Sequence, residues 1–229
     1  MKAVLFDLDG TVLWTDGAGR RAIHRALHEV LDIEHPEAGF RFDGRTDPEI
    51  VRRLAGAAGR PHGDDSVAAV LRRYVALLEE ELRRPGHVTT VYPGVPELLA
   101  ALERRADCLL GLLTGNVVDG AQLKLRSAGL DFARFRVGAF GSDHADRSVL
   151  PAIAQRRAEA LLGRPLPGRD VVIVGDTPAD VTCGRGIGAR AIGVATGSFT
   201  VAQLLDAGAD AAFRDLSETA DVVAAAFPP

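Results

Sequence analysis

Lysine is nearly absent from this 229-residue chain: of its 27 lysines and arginines, all but Lys2 and Lys124 are arginine. Any chemistry that requires a lysine therefore has two candidates. Cysteine is equally scarce, and Cys108 and Cys183 alone make neither a disulfide framework nor a cysteine-rich zinc site. No apolar run comes near the roughly 18 residues of a membrane span. The first apolar stretch, Ala3 to Phe6, is cut short by Asp7, so neither a signal peptide nor a membrane partner is expected. A net charge of −4 excludes broad attraction to nucleic acid. What is present is an ordinary globular composition, 47% hydrophobic and 25% charged. The chain is long enough for one compact core with an insert, or for two modest domains. The expected location is cytoplasmic, and the expected assembly a monomer or homodimer.

Lys2–Phe6 is a short β-prone run ending in acidic residues and glycine, the pattern of a buried strand followed by a loop. From Gly17 the period changes. Ala22, Ile23, Ala26, Leu27, Val30 and Leu31 recur at helical spacing. A second long helix starts at the capping cluster Asp64–Asp65–Ser66 and buries Val67, Val70, Leu71, Tyr74, Leu77, Leu78 and Leu82 before Pro85–Gly86 stops it. A shorter helix lies around Glu49–Leu54. After Pro93 the texture alternates: helices at 95–105, 118–128, 149–162, 179–185 and 201–207, strands at 108–113, 137–140, 171–174, 191–194 and 211–213. Apolar strands alternating with amphipathic helices predict an α/β fold, a parallel sheet covered on both faces. Residues 1–15 and 88–229 form that core, and 16–87 is a helical insert.

Ligands of open α/β sheets sit at the carboxyl ends of the strands. Four such ends carry polar residues: Asp7-Leu8-Asp9-Gly10-Thr11, Thr114-Gly115-Asn116, Asp143 to Arg147, and Gly175-Asp176-Thr177-Pro178-Ala179-Asp180. Thr114 offers a hydroxyl, and Gly115 and Asn116 offer N–H groups just before a helix, a natural phosphate cradle. Gly10 permits close backbone approach to a substrate.

In this order the segments resemble the haloacid dehalogenase-like (HAD) superfamily of phosphohydrolases, in particular phosphoglycolate phosphatase-like members with a C1-type helical cap. The resemblance covers the whole core and includes the position of the insert. It implies a doubly wound, Rossmann-like sheet and a Mg2+-dependent phosphomonoester hydrolase that forms an aspartyl-phosphate from a small phosphorylated metabolite. It makes Asp7 the nucleophile and Asp9 the general acid and base. Asp7, the backbone carbonyl of Asp9, and Asp176 would hold magnesium, with Asp180 behind them orienting the site and the basic residue. Gly10, Thr11, Gly115 and Asn116 would bind the phosphate beside Thr114. The family usually places a lysine between the second and fourth motifs. Lys124 is in sequence range, but its helix runs away from the second strand, so Arg147 is assigned instead, an arginine fork being suited to phosphate. A second departure is Trp14-Thr15, where many relatives carry Asp-Ser.

Other chemistries of the superfamily fare less well. Dehalogenases do without a second aspartate and magnesium, and phosphonatases need a cap lysine, of which 16–87 has none. A phosphosugar mutase uses the same aspartate pair and is the alternative; a non-catalytic relative would not need the full acid set. Gly17-Ala18-Gly19-Arg20-Arg21-Ala22 mimics a dinucleotide fingerprint but does not follow its strand directly. His24 and His28 are expected to be solvated, and Asp143 to be a loop carboxylate. Substrate contact is expected from Phe42 to Asp47, with Arg45 toward a second anionic group; a plain capping turn before Pro48 is the other reading.

Overall fold

The computed structural model describes residues 1–34 and 39–228. Its main sheet has six parallel strands: β1 (Lys2–Phe6), β4 (Cys108–Thr114), β5 (Val137–Phe140), β6 (Val171–Gly175), β7 (Arg190–Val194) and β8 (Ala211–Phe213), in the order β5-β4-β1-β6-β7-β8. Beside it lies a two-stranded antiparallel ribbon, β2 (Leu13–Trp14) with β3 (Thr90–Val91). β1 lies inside the sheet, with Val4 paired to Leu110 on one side and to Val172 on the other.

Strand alternation sorts the core into two layers. Val4 and Phe6 of β1 face the side covered by α4 (Val95–Glu103), α5 (Val118–Ser127) and α9 (Thr219–Ala226). Ala3 and Leu5 face Leu150, Ala154 and Ala158 of α6 (Leu150–Leu162). Two short helices complete the crossovers, α7 (Pro178–Cys183) and α8 (Val201–Asp206). The terminal helix α9 and the ribbon were not expected from sequence: each is short, and β2 and β3 have only two residues apiece.

α1 (Ala18–Leu31), α2 (Asp47–Ala57) and α3 (Asp64–Leu82) bury a cluster of their own, built on Ile23, Leu27, Ile50, Leu54, Val70, Tyr74 and Leu77. Val117, just after β4, also packs into it. The chain enters this helical segment through Asp16 and Gly17, both at positive φ, and leaves it past Gly86, also at positive φ. Among the described residues no helix is long and apolar enough to cross a membrane.

Candidate active site

The sheet order brings the carboxyl ends of β4, β1 and β6 side by side, and the polar segments following them meet there. Asp7 leaves β1 with its amide still bonded to Val174 O. Gly10 turns the chain back at φ 84°, and a β-carbon there would stand 2.4 Å from Asp176 Oδ2, so only glycine fits beside this carboxylate. Thr177 and Asp180 form a capping box that starts α7; Asp180 Oδ2 accepts from the Thr177 amide at 3.0 Å and hydroxyl at 2.7 Å.

Asp7, Asp176 and Asp180 are all buried, and they bring carboxylate oxygens within 4.8 Å of one another. Arg147 lies among them, also buried, 3.0 Å from Asp7 Oδ1 and in a short contact with Asp180 Oδ1. Burial pushes the Asp7 carboxyl up to about 6; Arg147 opposes the rise, and Asp180 and Asp9 add to it. Burial, then the charges of Asp180 and Asp7, hold Asp176 well above the usual carboxylate range. This donor set fits magnesium: hard oxygens, crowded together, short of positive charge. Asp180 already has both oxygens committed, whereas Asp176, among the described residues, accepts only Thr11 Oγ1, at 3.0 Å on Oδ1. Thr11 is thereby turned away from the phosphate-binding role expected of it: its hydroxyl is fully buried on Asp176.

Lys124 requires a correction. Expected to lie away from the site, the residue is only 4% exposed, and its ammonium donates to Asp9 Oδ2 and to Asn116 Oδ1, each at 2.6 Å. Its helix does run away from β4, but helical side chains lean back toward the N-terminus. Lys124 is the seventh residue of α5, only about 9 Å along the axis from the first at ~1.5 Å per residue, and a lysine stem spans most of that. Asn116 Nδ2 also donates to Asp9 Oδ2, at 2.8 Å, and to Thr114 Oγ1, at 2.8 Å.

The helical segment closes over these groups. Asp47 Oδ2 accepts from the Val117 amide at 2.9 Å, the Asp47 amide donates to Gly115 O at 2.8 Å, and Thr46 Oγ1 donates to Ala145 O at 2.6 Å. A β-carbon on Gly115 would fall 2.0 Å from Arg45 O, so a glycine is required where the two loops cross. Burial pushes Asp47 up to about 6, against the pull of Lys124 and the Val117 hydrogen bond. Thr46 caps α2 by accepting from Glu49 N, as the capping-turn reading has it. Arg45 is not merely solvated: it pairs closely with Glu49 and lies 5.1 Å over the Phe40 ring. Arg20 donates to Phe40 O and stacks 4.0 Å over Phe42.

Between the two parts is a cavity of about 360 Å3, lined by Asp7, Asp9, Thr114, Asn116, Lys124, Arg147 and Asp176 below, and by Arg20, Ile23, Phe42 and Arg45 above, with Trp14 and Tyr92 at the ribbon. Asp143 stays outside it, paired with Arg157. His24, expected to be solvated, is instead half-buried with its ring edge-on to Phe42. Trp14, Tyr92, Arg20 and Tyr74 carried no motif that would have placed them here, and Asp47 was expected either to end a substrate-facing loop or to start a helix.

A family model described as haloacid dehalogenase-like hydrolase matches residues 1–188. The chain belongs to the haloacid dehalogenase-like hydrolases. It is 31% identical over 214 residues to the probable phosphatase IndB of Dickeya dadantii, covering 88% of this chain and 84% of the relative. To the phosphoglycolate phosphatase of Rhodospirillum rubrum it is 29% identical over 223 residues, covering 96% and 90%. A hydrolase from Pseudomonas syringae has the same fold, with a TM-score of 0.74 at 21% identity over 97% of this chain and 98% of that one.

Proposed function

We propose that this HAD-like hydrolase is a magnesium-dependent phosphatase of small phosphorylated metabolites, working through an aspartyl-phosphate on Asp7. The observation that carries the reading is the pair Asp7 and Asp9 at one strand end, each with its own cation, Arg147 at 3.0 Å and Lys124 at 2.6 Å. The phosphatase names of the sequence relatives support it and favour it over a mutase.

Asp7 attacks phosphorus as the ester P–O bond breaks, and Asp9 gives its proton to the departing oxygen. Water then attacks the aspartyl-phosphate, Asp9 takes up its proton, and the P–O bond to Asp7 breaks to release phosphate. Arg147 offsets charge on Asp7 and the phosphoryl oxygens, and the hydroxyl of Thr114 with the amides of Gly115 and Asn116 cradles the phosphate. Asp7, the Asp9 carbonyl and Asp176 would hold magnesium, which supplies positive charge to the phosphoryl group. We assign residues 16–87 to a cap on a core of 1–15 and 88–229, swinging on the segments around Asp16-Gly17 and Pro85-Gly86. Its closure would keep stray water from the intermediate.

A cavity of about 360 Å3 corresponds to roughly twelve waters at ~30 Å3 each, room for a phosphate and a small organic leaving group. The test is phosphate release over a panel of phosphorylated metabolites, wild type beside Asp7→Asn. Asp7→Asn should abolish release and leave no acid-stable, hydroxylamine-sensitive phosphate on the protein. Near-normal turnover by that variant defeats the reading.

A further inference from the structure

Gly19 packs directly over Lys124. A β-carbon on Gly19 would stand 3.2 Å from Nζ and 3.8 Å from the Tyr74 hydroxyl. The fingerprint Gly17-Ala18-Gly19, useless for a dinucleotide, thus leaves room at the seam between α1 and the core. Into that room comes the one buried lysine. Its hydrogen bond to Asp9 converges with that of Asn116, so that Asp9 Oδ2 receives a charged donor at 2.6 Å and a neutral one at 2.8 Å.

Resting on the phosphatase reading, we propose that Lys124 is the positioning residue for Asp9, and that Gly19 of the cap is what lets it serve. The Asp9 side chain is about a third exposed, so a free carboxylate there would sample several rotamers. With Oδ2 fixed by Lys124 and Asn116, Oδ1 is the oxygen left to carry the proton to and from the reacting group. Arg147 cannot do this, because it is committed to Asp7 and Asp180. The two cations divide the work: Arg147 attends the nucleophile, Lys124 the acid and base. Because Gly19 lies on α1, a shift of the cap moves the space that Lys124 occupies, and cap closure is thereby tied to the aim of Asp9.

The chain's having only two lysines makes a direct test possible. In protein labelled with 15N-lysine, the Lys124 side-chain signal should move on Asp9→Asn and on Gly19→Ala, while that of Lys2 stays. In turnover, Lys124→Met should lower kcat about 10- to 100-fold, the scale of a misplaced acid–base group, with KM changed less than about threefold. In an Asp9→Asn background the same substitution should cost less than about twofold. Gly19→Ala should lower kcat without lowering Tm, since alanine favours helix over glycine; this arm stands even if Lys124→Met fails to fold. An undiminished loss in the Asp9→Asn background, a change in KM alone, or a Lys124 signal indifferent to Asp9→Asn overturns the proposal. A wild-type chain that releases phosphate from no ester defeats the phosphatase reading instead, and the lysine signal still decides the contact.

Discussion

Replacing Glu81 by glutamine should loosen the helical segment in a way that depends on pH. Glu81 ends the buried face of α3, and its carboxylate, 2% exposed, receives Arg21 at 2.8 Å, Arg25 at 3.0 Å and Arg84 at 2.9 Å. The first two come from α1, so this one carboxylate ties α1 to α3. Burial acts against its charge, but the hydrogen bonds from Arg21, Arg84 and Arg25 outweigh it and hold the carboxyl at about 2, against an ordinary 4.5. A gap of that size corresponds to at most about 3 kcal/mol. The arginines are 40–60% exposed, and solvent screening reduces the figure to about 1–2 kcal/mol. For a chain of this size Glu81→Gln should then lower Tm by roughly 3–6 °C at pH 7. A depressed folded-state pKa gives stability that is present above 4.5 and is lost as pH falls toward 2. Melting curves of wild type and variant, followed by circular dichroism, should therefore converge between those values. If the gap is the same at pH 3 as at pH 7, the carboxylate's charge is not what holds α1 to α3, and the reasoning fails.

Chelation should abolish activity and magnesium should restore it, with calcium a poor substitute because its larger, looser shell misplaces the nucleophile; full turnover by thoroughly demetallated protein removes the metal assignment. Arg147→Ala should lose most activity and destabilise the fold by about 3–5 kcal/mol, the cost of leaving buried charges unpaired. Arg147→Lys should keep part of both, measurable by turnover and denaturant unfolding. Arg45→Ala should raise KM for the best carboxylated or phosphorylated-sugar substrate and leave hydrolysis of an aryl phosphate nearly unchanged; equal losses on both would mean that it disturbs the fold around Glu49 instead.

The parallel core was legible because its strands are short apolar runs bounded by loops, and because Asp7, Thr114 and Asp176 each follow such a run directly. α1 and α3 were legible from their apolar stripes. The ribbon of Leu13–Trp14 with Thr90–Val91 was not, since two residues carry no period and the partners lie far apart in the chain. Lys124 was hidden for a different reason: the direction of its helix points away from the site, and only the lean and length of the side chain bring its ammonium back to Asp9. The anchoring role of Asp47 was not legible because a substrate-facing loop or a helix start before proline each explains an aspartate there without calling on the amide of Val117, 70 residues away. In each case the missing information is a contact between residues far apart in the chain, which local sequence does not encode.

Those contacts bear on the charge of the site. Asp7, Asp9, Asp47, Asp176 and Asp180 bring five carboxylates together, and Lys124 and Arg147 are the two cations among them. Fully ionised, the group would carry an excess of three negative charges; burial, above all, raises the pKa values of Asp7, Asp47 and Asp176, and like charges nearby add to it. A phosphate monoester, itself an anion, gains little from entering such a place. The two charges of a magnesium ion would remove most of the deficit, and the guanidinium groups of Arg20 and Arg45 in the cavity roof would meet the substrate from the other side. On the proposed reading metal would bind before substrate, because it supplies the positive charge that an anionic substrate needs in order to enter.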